Sequence, residues 1–200
     1  MFNLLRRTVK TPGSHVTGQV EERSRSVPKS STVQNDGRRI QVRVVPEALA
    51  FAESGACAAA VGMLDPGHEP PRLDSTMTGP FLLQRAYDAA AHAPGRPAPS
   101  EEQISHVLDL SRRIAAGGGG RILFFCAQGV SRSPALALVA LADGFGPGLE
   151  EEAFAALAAG CRFPQVIDPN RLLLRLGDEM LGRGGALIAA TRDGLARLRA

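Results

Sequence analysis

A cysteine closing an apolar run, a glycine three positions on, and an arginine–serine pair beyond it could together perform displacement at phosphorus. The run is Arg121-Ile122-Leu123-Phe124-Phe125, and the segment after it is Cys126-Ala127-Gln128-Gly129-Val130-Ser131-Arg132-Ser133. Attack on a phosphate monoester asks for a nucleophile that is anionic at neutral pH, donors for three phosphate oxygens, and a proton for the departing oxygen. A cysteine at the end of a strand whose loop feeds a helix N-terminus meets the first two demands. Loop amides and the helix dipole favour negative charge there, and the same field favours thiolate over thiol. Gly129 lets the backbone turn so that the amides point inward. Arg132 offers a planar fork to two oxygens. The expected nucleophile is Cys126, and the expected cradle is Ala127, Gln128, Gly129, Val130, Ser131 and Arg132. Ser133 is placed to donate to the sulfur and ease its departure when water later cleaves a thiophosphate.

A cysteine, five residues and an arginine recur by chance in many chains, so the elements that would position them carry the argument. Arg121 to Phe125 reads as a strand buried on both faces, as in a parallel sheet, and Pro134 to Ala142 as a helix, Pro134 being tolerated in its first turn. The bland alternative is a glycine-containing turn with an incidental buried cysteine. Upstream, Ile40, Val42 and Val44 alternate with Gln41 and Arg43 as in a half-buried strand. Pro46-Glu47 opens a short helix toward Ser54-Gly55, and Ala58 to Leu64 reads as a buried strand closed by Asp65-Pro66-Gly67. Residues 65–80, with four prolines, form a loop. Phe81 to Ala86 is a further strand, and Asp88 to Pro99 a second loop. Ser100-Glu101-Glu102-Gln103 is a capping box for a helix whose apolar face is Ile104, Val107, Leu108, Leu110 and Ile114, stopped at Gly117–Gly120. Helices also fit Glu150–Ala159, Pro169–Leu181 and about Ala186–Arg199. This alternation predicts an α/β domain with a central, mainly parallel sheet flanked by helices.

The 200-residue chain is 44% apolar, enough for one core. Its formal charge of +3 is uneven, since residues 1–38 hold seven basic and three acidic side chains. The remainder is close to neutral, which argues against a dedicated nucleic-acid binder. Residues 1–37 lack the apolar area to offset ordering entropy and read as a disordered basic extension, with the domain spanning 38–200. Met1–Arg7 is too brief for a secretory signal; a transit peptide is the alternative to an ordinary extension. No run is long enough to span a membrane. Three widely spaced cysteines (Cys57, Cys126, Cys161) build neither a disulfide framework nor a zinc site. That favours a reducing, cytoplasmic setting, with Cys57 and Cys161 as small hydrophobes.

With those residues in place, the loop resembles the H-C-x-x-G-x-x-R-[ST] signature of protein tyrosine and dual-specificity phosphatases. Cys126, Gly129, Arg132 and Ser133 match, and Ser131-Arg132-Ser133-Pro134 is similar to the dual-specificity branch. More narrowly, about Arg85 to Ala190, including Asp168-Pro169-Asn170-Arg171 and Leu181-Gly182-Arg183, resembles small bacterial tyrosine-phosphatase-like proteins. Residues 39–84 fit only in strand pattern, and residues 1–38 not at all. One departure is plain: Phe125 stands where the family carries a histidine that orients the loop and depresses the thiol pKa.

The resemblance implies a cysteinyl-phosphate mechanism with no metal or organic cofactor, acting on a phosphorylated protein or another phosphomonoester. It also implies an aspartic acid, on a loop before the nucleophile's strand, that protonates the leaving group. Asp88 is the only acid between the Phe81 strand and the capped helix and is the assignment; Asp74 is the reserve. His92 reads as a surface residue rather than a base. Asn170 and Arg171 could cap a helix or contact substrate at the rim, Asp168 fits the same helix edge, and Glu150–Glu152 suit a helix start. Two other readings stay in view: a silent module that binds phosphorylated residues, motivated by Phe125, and a rhodanese-like sulfurtransferase. Oligomeric state is left open.

Overall fold

The computed structural model describes residues 40–88 and 96–200, so the expected basic extension and His92 lie outside the described residues. Four strands form one sheet: β1 (Ile40–Pro46), β2 (Ala59–Leu64), β3 (Phe81–Arg85) and β4 (Gly120–Cys126), in the order β1-β4-β2-β3. Every pairing is parallel. Parallel neighbours need crossovers, and the connections supply them: a 3₁₀ turn at Glu47–Leu49 and α1 (Ala50–Ser54), the proline-rich loop 65–80, and α2 (Glu101–Ala116). β4 is central, and its seven residues pair with β1 from Ile40↔Gly120 to Pro46↔Cys126.

The strands' two faces meet different partners, as the two-residue period requires. Val44, Val61, Met63, Ile122 and Phe124 face a large core closed by α2, α3 (Arg132–Phe145), α4 (Glu150–Gly160), α5 (Arg171–Met180) and α6 (Ala186–Arg199). Val45, Ala60, Leu64, Leu123 and Phe125 face a smaller cluster closed by Ala50, Leu49 and the loop residues Leu73 and Met77. The helices therefore flank the sheet unequally, the five long ones among the described residues lying on one side. α3 runs through the larger core, with every residue from Arg132 to Ala142 buried. That is why its apolar run has no polar face, and its burial fixes where the preceding loop can lie.

Element bounds differ from the sequence expectation mainly at helix starts. α3 begins at Arg132, two residues before Pro134, and α5 at Arg171 instead of Pro169, because Asn170 is its cap: its side-chain oxygen accepts from Leu173 N at 3.1 Å. The capping box of α2 is present in both directions, between Ser100 Oγ and Gln103 N and between Ser100 N and Gln103 Oε1. Among the described residues, no helix is long and apolar enough to cross a membrane.

Candidate active site

Cys126 is the last residue of β4 and is 3% exposed. The five residues after it form a loop that hands the chain to α3. Gly129 makes that loop possible, at φ +69°, where a Cβ would sit 2.5 Å from the backbone of Val45 and Pro46. The loop therefore rests directly on the end of β1, a closeness only glycine permits. Its far side is pinned by the segment before α5: Val130 O accepts from Asp168 N at 2.9 Å, and Ser131 O from Asn170 N at 3.0 Å. With the carbonyls so engaged, the amides of Ala127, Gln128, Gly129, Val130 and Ser131 donate to no protein acceptor among the described residues. Free amides at a helix start favour an anion.

Ser133 Oγ donates to Cys126 Sγ at 3.2 Å. Arg132 is 4% exposed, and its Nη1 donates to Asp65 Oδ1 and to Ala86 O, each at 2.6 Å. Its Nε is buried with no partner. A buried guanidinium N–H left unpaired is costly, and an oxyanion on the loop is the group that would satisfy it. The edge carrying Nε and Nη2 is the one that matches a two-oxygen acceptor.

Asp88 is drawn to the same loop. Its Oδ1 accepts from Ser131 Oγ at 2.7 Å and from Asn170 Nδ2 at 2.9 Å, and its backbone carbonyl accepts from the same Nδ2 at 2.9 Å. Its Oδ2 carries no bond to the described residues. Asp74 is occupied elsewhere, accepting from Thr76 N at 2.8 Å and Thr76 Oγ1 at 2.7 Å while its own amide bonds Ser54 Oγ. Those Thr76 donors hold its carboxyl below the usual carboxylate range. Arg171 is exposed on α5. Of the two roles open to Asn170, the structure gives it the cap and adds the Asp88 clamp. Asp65 was missed in the sequence because Asp-Pro-Gly reads as a turn; an acid directly after a buried strand was the only available signal.

Phe125 has a packing reason. Its ring is fully buried among Val45, Ala50, Ala60, Leu64 and Leu123, 5.8 Å from the Phe81 ring. It fills the space over Gly62, where an added Cβ would meet it at 2.5 Å. A histidine there would bury a polar ring among apolar neighbours. The other cysteines face away from chemistry: burial pushes the Cys161 thiol up to about 12 and raises that of Cys57. Beside the loop, an open groove of about 500 Å³ is lined by Glu47, Ala48, Phe51, Pro71, Arg72 and Ala127.

No family model matches the sequence, and no curated protein matches it. The fold does have counterparts among solved structures. Human DUSP28 aligns with a TM-score of 0.53 at 17% identity, over 72% of this chain and 94% of its own. The human tyrosine phosphatase-like serine/threonine/tyrosine-interacting protein aligns at 0.51 and 16%, over 70% and 89%. Tk-PTP, in its active form, aligns at 0.50 and 21%, over 72% and 94%. At these identities the likeness establishes a shared α/β fold.

Proposed function

We propose that this chain, which has the fold of dual-specificity and tyrosine phosphatases, is a cysteine-dependent phosphomonoester hydrolase acting on phosphorylated protein. The observation that carries the reading is the loop itself: Cys126 at the end of β4, five following amides with no protein acceptor among the described residues, and the buried, unpaired Nε of Arg132 at the start of α3. The Cys126 sulfur attacks phosphorus, an S–P bond forms and the P–O bond to the leaving group breaks. Asp88, held over the loop by Ser131 and Asn170, gives its proton to the departing oxygen. Water then attacks the cysteinyl-phosphate, Asp88 takes its proton, and the S–P bond breaks with Ser133 stabilising the released sulfur. The amides and Arg132 hold the three equatorial oxygens throughout. Nothing in these steps calls for a metal or organic cofactor.

Unpaired Cys57, Cys126 and Cys161 suit a reducing, cytoplasmic setting. The assignment to the small bacterial branch rests on the stretch 85–190 alone. A sulfurtransferase has no use for a carboxyl clamped above the loop, whereas a silent binding module would keep every feature except turnover. The test is hydrolysis of an aryl phosphate and of phosphopeptides by the purified protein, alongside Cys126→Ser. Turnover by the wild type, with a serine variant that binds vanadate but does not turn over, supports the enzyme. Binding without turnover by both would make the chain a phospho-residue binder.

A further inference from the structure

A phosphopeptide brings more than a phosphoryl group to the loop, and the groove that opens on Ala127 is built to meet what adjoins it. Ala127 is the first residue after the nucleophile, so anything seated in that groove lies beside the phosphate cradle. Its volume, about 500 Å³, falls in the range of ligand pockets, about 300–1,000 Å³. We propose that the groove is a substrate subsite for an apolar side chain next to the phosphorylated residue, with an acidic side chain beyond it meeting Arg72. This rests on the phosphatase reading above and gives it a sequence preference.

The segments that line the groove are set by buried anchors. α1 is about one turn long, with Ala50 and Ser54 four residues apart and both buried, so Phe51 faces outward and is 56% exposed. Ser54 Oγ donates to Phe51 O at 3.0 Å, and Glu53 accepts from Arg43 Nη2 at 2.6 Å and Nε at 2.9 Å, which fixes the helix on β1. The proline-rich loop contributes Pro71 and Arg72. Pro70-Pro71 restricts its backbone, and Leu73 packs against the smaller core. Asp74 N donates to Ser54 Oγ at 2.8 Å, so the loop and α1 are tied to one another. A groove held in this way exists before substrate arrives, and little ordering entropy opposes binding. A single exposed aromatic is ordinary on a protein surface. Phe51 differs because it lines a groove together with Ala48 and Pro71, and apolar surface so placed gains when a ligand's apolar side chain covers it.

The charges of the groove select the residue beyond the apolar one. Glu47 is engaged by the His68 ring, 2.9 Å away. Arg72 is exposed and meets no carboxylate among the described residues. The groove thus presents one uncommitted cation. An acidic side chain gains there and a basic one is repelled, by a modest and salt-sensitive amount because Arg72 faces solvent. Neither Phe51 nor Arg72 is bonded to Cys126, Arg132 or Asp88. Contacts in the groove therefore act on substrate binding and leave the chemical step alone, which separates them from the catalytic residues in a kinetic assay.

The experiment measures kcat and KM on phosphotyrosine peptides, with a small aryl phosphate as the substrate too short to reach the groove. The peptides carry Leu-Glu, Leu-Lys or Ala-Ala next to the phosphotyrosine, before it in one set and after it in another. In one of the two sets, wild type should prefer Leu-Glu to Ala-Ala by about 5- to 30-fold in kcat/KM, the scale for partly burying one leucine side chain. Phe51→Ala should erase most of that preference through KM, hold its aryl phosphate activity within about twofold of wild type, and melt near wild type. Arg72→Glu should reverse the order of the Leu-Glu and Leu-Lys peptides; it decides the matter if Phe51→Ala melts low. A wild type indifferent to the flanking pair, or a Phe51→Ala loss equal on peptides and aryl phosphate, would overturn the subsite and leave the phosphatase reading intact. An Arg72→Glu variant that keeps the wild-type order would overturn the assignment of Arg72. Hydrolysis of vesicles bearing a phosphorylated inositol lipid that falls in both variants, with peptide turnover unchanged, would give the groove to a lipid surface and overturn the peptide subsite. A wild type that turns over none of these substrates would defeat both readings.

Discussion

Replacing Asn170 by aspartate should separate what its side chain does for the fold from what it does for the chemistry. Asn170 caps α5 through Oδ1 and clamps Asp88 through Nδ2. Aspartate has the same shape and is an equally good cap, so the helix start should survive. It has no donor, however, and both bonds to Asp88 are lost. Its charge, at a buried position, would then stand about 3 Å from Asp88 Oδ1, and for charges about 4 Å apart at an effective dielectric of about 20–80 the repulsion is about 1–4 kcal/mol. Asp88 should be driven off the loop, forfeiting much of the roughly 10²–10⁴ that a general acid contributes. The assay is kcat/KM across aryl phosphates of graded leaving-group acidity, plus phosphotyrosine peptide, with melting midpoints alongside. We expect a loss of at least about tenfold on the peptide, a smaller one on nitrophenyl phosphate, and a melting midpoint near that of wild type. Asn170→Ala should instead lose about 1 kcal/mol of stability as well, the usual cost of a missing cap. A uniform loss across leaving groups, or none, would show that the Asn170–Asp88 bonds do not serve proton transfer.

Asp88→Asn should cut phosphopeptide turnover by about 10²–10⁴ and spare substrates with acidic leaving groups, read from the slope of log kcat/KM against leaving-group pKa. Arg132→Lys should be nearly as damaging as Arg132→Ala, because a lysine cannot present two parallel donors; retention of most kcat/KM would refute the fork. Gly129→Ala should abolish vanadate binding, since its Cβ would fall 2.5 Å from the backbone of β1 at a φ of +69°; calorimetric titration with vanadate checks this. Iodoacetamide near neutral pH should label Cys126 in a vanadate-protectable way and leave Cys161 alone, because burial pushes the Cys161 thiol up to about 12, as peptide mass mapping would show.

Local sequence sufficed for one unit: an apolar strand, a loop that turns on Gly129, and a helix after it, whose start the structure moves from Pro134 to Arg132. These signals lie within neighbouring residues and obey strand period, glycine conformation and helix-start preferences, so they are legible without a fold. Asp88 came from the resemblance together with its being the lone acid of its loop, and the structure brings its carboxylate to Ser131 and Asn170. Strand order was not, because parallel pairing of β1 with β4 depends on crossovers and on which face each strand buries. The unequal placement of helices about the sheet followed from the same packing. Nor could the sequence show that Arg132 bonds an aspartate 67 residues away, or that Asn170 reaches Asp88 across 82 residues. Both bonds require side chains from separate strands and helices to converge within about 3 Å. Type and spacing along the chain carry no such directions; they exist only once the sheet has brought its strand ends together.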